Sequence, residues 1–295
     1  MSLTFIFYAW IETLSYCLPL SAAYRIGETL AGFVFFISSA ERRMVERNLK
    51  CVGSFRSARR ETGRNAALDV YKNFSRTCVE LLYYGNRPAA LNTSDLVAVN
   101  LEALDCAWKS GNGVVLVSAH LGNWELAAMA LSRWGYPISV IANPHRDPRV
   151  DRLYMKKRQN HGIRVLPRIH AFRAACRSLA RNEMVGIIGD RRYGARGATV
   201  TFFGRQVRLP QGAAALARRA GAPVVGVYAM PTRKQGGFEL HFFEPIDPRS
   251  ETSRQSLHQR VAAVLEEMIS RHPLHWFAFE EMFDVPQQAT AGAPV

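Results

Sequence analysis

The 295-residue sequence has few of the signatures that identify common chemistries. It has no G-x-S-x-G elbow and no G-x-x-x-x-G-K-[ST] loop, which disfavours a serine hydrolase and a phosphate-activating enzyme. Five cysteines are scattered along the chain, and none has the C-x2-C or His-paired spacing of a metal site. They are Cys17, Cys51, Cys78, Cys106 and Cys176. Their spacing and odd number predict neither a metal site nor a disulfide framework, and favour a reducing compartment.

The sequence also has no uninterrupted apolar run of the roughly 20 residues that span a bilayer. Residues 4–36 are rich in apolar and aromatic side chains. Four residues interrupt them: Glu12, Pro19, Arg25 and Glu28. We interpret residues 1–40 as a hydrophobic, membrane-associating pair of helices that lie in or on the membrane surface. A buried core hairpin is the alternative, and a single tilted spanning helix is less favoured.

Acidic residues are in the minority, because 24 Asp and Glu stand against 38 Lys and Arg, a formal net charge of +14. This excess predicts a partner with an acidic surface. The arginines recur in every segment and form no dense block of the kind that binds nucleic acid, so we expect no nucleic-acid partner. An anionic membrane surface and an acidic carrier protein both fit the charge.

Short apolar runs alternate with helical patterns of 10–15 residues over most of the chain. The strand-like runs lie at 114–117, 137–142, 163–166 and 184–188. They predict an α/β fold with a mostly parallel central sheet flanked by helices, and ligands at the carboxyl ends of its strands. A helix over about 66–84 carries an apolar stripe that we interpret as core. We expect one domain at 41–285 and a disordered tail at 286–295.

Residues 113–129 organise the rest of the chain around one turn. A buried strand breaks just before His120, and a helix-favouring stretch begins near Asn123, which can cap it. Glu125 then lies in the first helical turn, where a carboxylate suits the positive end of the helix dipole. From this position we predict that Glu125 folds back onto the imidazole. His120 and Asp190 both follow predicted strands, at their carboxyl ends.

A histidine oriented by a carboxylate can act as a general base, because the acid fixes the tautomer and stabilises the imidazolium that forms. His120 and Glu125 would then remove the proton from an attacking hydroxyl. From the spacing alone, an incidental turn histidine and an incidental helix acid are an equal alternative.

The segment His120-Leu121-Gly122-Asn123-Trp124-Glu125 resembles the H-x4-D/E block of the glycerolipid acyltransferase superfamily. Its H-x-G-N-W-E form is similar to that of the late lipid A acyltransferases and the phosphatidylinositol mannoside acyltransferases. The resemblance covers about residues 40–283. It implies a glycerol-3-phosphate acyltransferase-like fold in which His120 and Glu125 are catalytic.

Later blocks extend the resemblance. The segments 190–194, 202–204 and 208–212 resemble a D-x-x-x-G, F-F-G and P-x-G series, which implies site positions at Asp190, Arg191 and Arg208. Residues 144–158 resemble a family segment that ends in a site arginine, which places that arginine at Arg158. Arginines offer paired donors to phosphate or carboxylate, although a solvated basic rim is the alternative.

Two departures from the family pattern leave the acceptor open. Lipid A enzymes carry a basic H-R-R-F near the end, where this chain has Glu280-Glu281-Met282-Phe283. The second acid of their D-Q-D is Arg192 here. Both departures concern the acceptor and leave the catalytic base in place.

We therefore expect an O-acyltransferase in which His120, oriented by Glu125, deprotonates a hydroxyl that attacks an acyl thioester. Backbone amides around Gly122 and Asn123 are the expected donors to the oxyanion. The expected substrate-binding residues are Gly122, Asn123, Arg158, Asp190, Arg191 and Arg208.

The resemblance also implies the partners. The donor would be acyl-carrier protein or coenzyme A as a thioester, with no metal and no other cofactor. The acceptor would be a membrane glycolipid, most directly of the lipid A type, at the cytoplasmic face of a bacterial inner membrane. Another lysolipid or a phosphatidylinositol mannoside is the alternative acceptor, and a non-catalytic basic membrane-surface protein is the alternative of another class.

Overall fold

The computed structural model describes residues 12–13, 17–52, 63–166, 170–191 and 197–283. The predicted tail at 286–295 and Arg192 lie outside the described residues. The division into segments at 1–40 and 41–285 stays a prediction.

The described helices and strands follow one another in this order: α1 (Leu20–Ile37), α2 (Ser39–Cys51), α3 (Gly63–Asn86), β1 (Leu96–Val99), α4 (Leu101–Lys109), β2 (Val114–Ser118), α5 (Trp124–Arg133), β3 (Ile138–Ile141), α6 (Pro148–Asn160), β4 (Arg164–Leu166), α7 (Ala171–Ala180), β5 (Met184–Ile188), β6 (Ala198–Phe202), β7 (Arg205–Leu209), α8 (Gly212–Ala220), β8 (Val224–Pro231), β9 (Phe238–Phe242) and α9 (Arg254–Arg271). Short 3-10 turns lie at Pro88–Ala90, Thr93–Asp95 and Pro273–His275.

Seven of the strands form one sheet in the order β1-β9-β8-β2-β5-β3-β4. Strands β8, β2, β5, β3 and β4 run parallel to one another. Strand β9 pairs antiparallel with β8, and β1 runs parallel to β9. The predicted α/β fold with a mostly parallel sheet is therefore confirmed.

Strand β2 lies at the centre of the sheet and is buried at every residue. Its side chains alternate between two cores, because successive residues of a strand point to opposite faces. Val115 and Val117 belong to one hydrophobic cluster, and Val114 and Leu116 to the other. Burial on both faces explains why the run is continuously apolar.

Helix α3 confirms the helix predicted at about 66–84, and its residues Val70, Cys78 and Leu81 are buried as predicted. Strands β6 and β7 form a separate antiparallel hairpin. This hairpin lies on α9, where the Phe203 amide donates to the Glu266 carboxylate at 2.8 Å.

Helix α1 is the one helix of the described chain that is long and apolar enough to cross a membrane. One face of α1 is buried against protein: Leu20, Ala23, Gly27, Ala31 and Phe35. Near its carboxyl end, Phe33, Phe36 and Ile37 are exposed. An apolar helix with an exposed aromatic end fits membrane association.

Candidate active site

The sheet brings His120 and Asp190 to the same edge. Strands β2 and β5 are parallel and pair Ser118 with Ile188, so the residues two positions further on lie level with each other. The Gly189 amide continues the pairing by donating to the Ser118 carbonyl at 2.8 Å. Both candidates therefore emerge together from the carboxyl ends of neighbouring central strands, where α/β folds bind their ligands.

Asp190, rather than Glu125, is the carboxylate that contacts His120. Nδ1 of His120 lies 2.8 Å from Oδ1 of Asp190, and the His120 amide donates to Oδ2 at 3.1 Å. The indole N–H of Trp276 donates to the same Oδ2 at 2.9 Å. The prediction that Glu125 folds back onto the imidazole is therefore wrong.

The environment of Asp190 keeps it ionised. Its side chain is 1% exposed, and burial alone would raise its pKa. The charge and hydrogen bond of His120, the Trp276 donor and the charge of Arg191 outweigh burial and lower the pKa. An ionised Asp190 places the imidazole proton on Nδ1, so Nε2 carries the lone pair that a base needs.

Glu125 instead forms a buried ion pair with Arg158. Nε of Arg158 donates to one carboxylate oxygen at 2.9 Å, and Nη2 donates to the other at 2.6 Å. This two-pronged geometry uses both oxygens of Glu125 and explains why none is directed at His120. Burial acts to lower the pKa of Arg158, but Glu125 outweighs it and raises the pKa. Sequence reasoning selected both residues but did not pair them.

Gly122 is required by the shape of the turn. Its φ is +57°, and a Cβ there would lie 2.1 Å from the carbonyl oxygen of Ala229. The Gly122 amide donates to the His275 carbonyl, and the Asn123 amide donates to the Ala229 carbonyl, both at 3.0 Å. Because the protein itself uses these two N–H groups, the expectation that they bind an oxyanion is wrong.

Asn123 caps α5 as predicted. Its Oδ1 accepts a hydrogen bond from the Leu126 amide at 2.8 Å. Its Nδ2 donates to Oε2 of Glu80, on α3, at 2.7 Å. The side chain is 1% exposed and both ends are engaged, so the structure gives Asn123 a structural position in place of the expected substrate contact.

The segment after α9 closes the site and supplies a residue that sequence reasoning did not select. Trp276 is 1% exposed, and its neighbour Phe277 donates its amide to the His120 carbonyl at 2.8 Å. The indole of Trp124 packs edge-on against the His120 ring, with the centroids 5.0 Å apart. No local sequence pattern shows that the N–H of Trp276 reaches Asp190.

The predicted arginines lie in different places. Arg191 directly follows Asp190, with its Nη2 3.4 Å from the Phe277 carbonyl and its Nε 3.8 Å from the carboxylate of Glu280. Its Nε is buried and makes no hydrogen bond within the described residues. Arg208 lies on β7 of the hairpin, opposite Thr199 and outside the central sheet. No group of three metal-binding side chains occurs in the described part of the chain.

The fold and the H-x-G-N-W-E turn together define the class, and the chain is an acyltransferase. It belongs to the bacterial lipid A biosynthesis acyltransferase family, whose sequence model matches residues 2–284. Membership in this family implies an acyl donor and a lipid acceptor as partners.

Two relatives agree with this class. The chain is 27% identical over 215 residues to a phosphatidylinositol mannoside acyltransferase of Mycobacterium tuberculosis, covering 72% of this chain and 67% of that one. It is 25% identical over 143 residues to a lipid A biosynthesis acyltransferase of Haemophilus influenzae, covering 48% and 45%. A crystal structure of the 1-acyl-sn-glycerophosphate acyltransferase PlsC of Thermotoga maritima matches with a TM-score of 0.41 and 16% identity, over 86% of this chain and 99% of that one.

Proposed function

We propose that the chain transfers a fatty acyl group from a thioester to a hydroxyl of a membrane glycolipid, with His120 as the general base. The hydroxyl proton passes to Nε2 of His120 while the oxygen bonds to the thioester carbonyl carbon. The tetrahedral intermediate then collapses with cleavage of the C–S bond, and the imidazolium returns its proton to the departing thiolate. These steps balance without a metal or any other cofactor.

The observation that carries this proposal is the 2.8 Å contact between Nδ1 of His120 and the ionised Asp190. An anionic partner on Nδ1 fixes the tautomer and stabilises the imidazolium. The remaining nitrogen, Nε2, has no hydrogen-bond partner in the described part of the chain. The His120 side chain is 12% exposed whereas Asp190 is 1% exposed, which suits a base that a substrate hydroxyl must reach.

Glu125, Arg191 and Arg208 have proposed supporting roles. Glu125 holds the guanidinium of Arg158 beside the start of α5, so we assign Glu125 a positioning role through Arg158. Arg191 has a buried Nε that makes no hydrogen bond within the described residues, and a phosphate or carboxylate oxygen of a substrate would accept one. Arg208 remains a proposed substrate contact from the hairpin.

The proposed acceptor is a glycolipid because the names of the family and of its relatives specify lipid A or phosphatidylinositol mannoside. Two acids near the site distinguish this chain from the basic H-R-R-F pattern. Glu281 pairs with Arg47 at 3.2 Å, and the half-exposed Glu280 lies 3.8 Å from Arg191. Glu280 and Glu281 make the surface beside Arg191 less positive than two arginines would. This favours an acceptor that carries less negative charge at that surface than lipid A does.

The charge of the chain supports the proposed donor and location. Acyl-carrier protein and coenzyme A are both anionic, and a chain of net charge +14 attracts them. The exposed end of α1 is followed by the basic residues of α2: Arg42, Arg43, Arg47 and Lys50. An apolar surface next to basic side chains favours an anionic leaflet, so we propose the cytoplasmic face of a bacterial inner membrane.

An acyl-transfer assay tests the function and separates its finer parts. Purified protein in vesicles is mixed with a donor, which is a labelled acyl chain on acyl-carrier protein or on coenzyme A. The acceptor is an under-acylated lipid A or a phosphatidylinositol mannoside. We expect one donor and one acceptor to be preferred, and His120→Ala to lower kcat by about 10²–10⁴-fold.

The control is His241→Ala, on β9, which we expect to transfer the label like wild type. If His120→Ala transfers the label as fast as wild type, the base assignment is wrong. Release of free fatty acid without acylated lipid would instead identify a hydrolase.

A further inference from the structure

Helix α3 carries a polar stripe along one face. Asn73, Thr77 and Glu80 are spaced four and three residues apart, which aligns their side chains on a helix. Thr77 is 7% exposed and Glu80 is 3% exposed. Buried polar side chains within a core helix lower stability unless each finds a partner, so their partners show what the stripe does.

The first partners belong to the turn that carries His120. Glu80 accepts from Nδ2 of Asn123 at 2.7 Å, and the Thr77 hydroxyl donates to the Gly122 carbonyl at 3.2 Å. Asn123 also caps α5, so Glu80 fixes the plane of the capping amide from the side opposite to the helix. The stripe therefore holds two consecutive residues of the turn, two and three positions after His120.

The next partner belongs to the segment that carries Trp276. Nδ2 of Asn73 donates to the Leu274 carbonyl at 3.1 Å. Two residues later, the indole of Trp276 donates to Asp190. One helix face thus holds both segments that meet at the pair of His120 and Asp190.

The second oxygen of Glu80 connects the stripe to α1, where the Tyr24 hydroxyl donates to it at 2.8 Å. Glu80 makes no ion pair within the described residues. Burial raises its pKa to about 7, although Asn123, Tyr24 and the charge of Arg76 act in the opposite direction. Burial of a carboxyl group without an ion pair costs folding free energy, and the hydrogen bonds of Glu80 to the turn and to α1 offset that cost.

We propose that Asn73, Thr77 and Glu80 form a positioning device for acyl transfer. Glu80, through Asn123, and Thr77, through Gly122, hold the turn so that the imidazole meets Asp190 and the substrate hydroxyl in line. This inference rests on the proposed acyl transfer, but it needs no particular acceptor. Thr77 and Glu80 act through the turn, Asn73 acts through the segment that carries Trp276, and none of the three touches substrate.

Two Glu80 variants in the same acyl-transfer assay test this role. Glu80→Leu removes the acceptor for Asn123, and a displacement of about 1 Å at a reacting group costs about 10²-fold, so we expect kcat to fall about 10–100-fold. We expect the KM for the thioester to stay within about twofold. Glu80→Gln keeps an oxygen that accepts from Asn123, and we expect it to restore kcat to within about threefold of wild type.

Thr77→Val supplies a second, milder variant, for which we expect a kcat about 3–10-fold lower. Its matched control is Thr29→Val on α1, which also removes a threonine hydroxyl that donates to a backbone carbonyl, at 2.9 Å from Arg25 O. We expect the control to keep the wild-type kcat. If Glu80→Leu does not fold, the kcat of Thr77→Val compared with that of Thr29→Val tests the positioning role instead.

A folded Glu80→Leu with the wild-type kcat would overturn the positioning role, and so would a Glu80→Gln as slow as Glu80→Leu. So would a Thr77→Val that behaves like its control. In each of these cases wild type is active, so acyl transfer itself stands. Absence of transfer by wild type with every donor and acceptor would instead contradict the proposed function, and this inference with it.

Discussion

Two buried acid–base pairs flank the turn at residues 120–125, and they differ in whether the basic partner can exchange a proton near neutral pH. In the first, Asp190 receives two donors from His120 and one from Trp276. In the second, Glu125 receives both prongs of the Arg158 guanidinium. Imidazole gains and loses a proton near neutral pH, whereas a guanidinium keeps its protons at every accessible pH.

This difference assigns proton transfer to one pair and a structural role to the other. The pair of His120 and Asp190 can take up the proton of an attacking hydroxyl and release it again. The guanidinium of Arg158 keeps its protons, and its two hydrogen bonds to Glu125 fix the start of α5 against α6. The glutamate of an H-x4-E block is thus close to the histidine in the chain, but it serves a different partner.

The largest effect on this comparison is expected from Asp190→Asn. An asparagine amide presents a donor to Nδ1, which would move the imidazole proton to Nε2 and remove the base. By analogy with the aspartate of hydrolase triads, we expect kcat to fall about 10²–10⁴-fold while the fold is kept. Acyl transfer from the labelled thioester measures this loss.

In Asp190→Asn, the free energy of unfolding should also depend less on pH than in wild type. The pKa of Asp190 is lowered on folding, so its contribution to stability is present above its unfolded pKa and is lost as the pH falls through its folded pKa. In urea titrations, the wild type should therefore lose more of its unfolding free energy on acidification than Asp190→Asn does. Equal kcat values for Asp190→Asn and wild type would contradict the role of Asp190 as orienting acid.

Glu125→Gln should break the other pair in a different way. It leaves the buried Arg158 charge without its counter-ion, and we expect a loss of about 3–5 kcal/mol in the free energy of unfolding. The double variant Glu125→Leu/Arg158→Met removes both charges, so we expect it to regain most of this stability. Urea midpoints of the two variants measure the difference.

Activity of the folded double variant then decides what the pair does beyond stability. A kcat within about tenfold of wild type fits a pair that acts as framework. A loss as large as that of Asp190→Asn would show that Glu125 or Arg158 takes part in the chemistry, and would contradict the positioning role assigned to Glu125.

The sequence predicted the elements of the site better than their pairing. Apolar runs bounded by turn signals located β2 and β5, and the rule for parallel sheets placed His120 and Asp190 at the same edge. Their contact depends on the register of Ser118 opposite Ile188, a long-range property that no local pattern contains. Glu125 was selected because it is near in sequence, and its partner Arg158 is 33 residues away.

The oxyanion expectation failed for the same reason. The amides of Gly122 and Asn123 look available when only the turn is considered. Their acceptors, the carbonyls of His275 and Ala229, come from segments more than 100 residues later in the chain. The polar stripe of α3 was overlooked because its apolar neighbours already explained the helix as core.

A third buried carboxylate, Glu80, sharpens the comparison because its hydrogen bonds within the described residues come from Asn123 and Tyr24 rather than from a histidine or an arginine. Burial raises its pKa to about 7, against the donors Tyr24 and Asn123 and the charge of Arg76. A raised folded-state pKa means that its contribution to stability is present below its unfolded pKa and is lost as the pH rises through about 7. Wild type should therefore weaken between pH 5 and pH 8 relative to Glu80→Gln.

Between pH 5 and pH 8, the difference in unfolding free energy between wild type and Glu80→Gln should change by at most about 3 kcal/mol. Urea unfolding of both proteins at the two pH values measures this change. Glu267→Gln, at an exposed acid of α9 that pairs with Arg271, is the matched control. A difference between Glu80→Gln and wild type that stays constant from pH 5 to pH 8 would show that Glu80 does not titrate in this range. The acid would then resemble Asp190, ionised throughout, and its two hydrogen bonds would outweigh its burial.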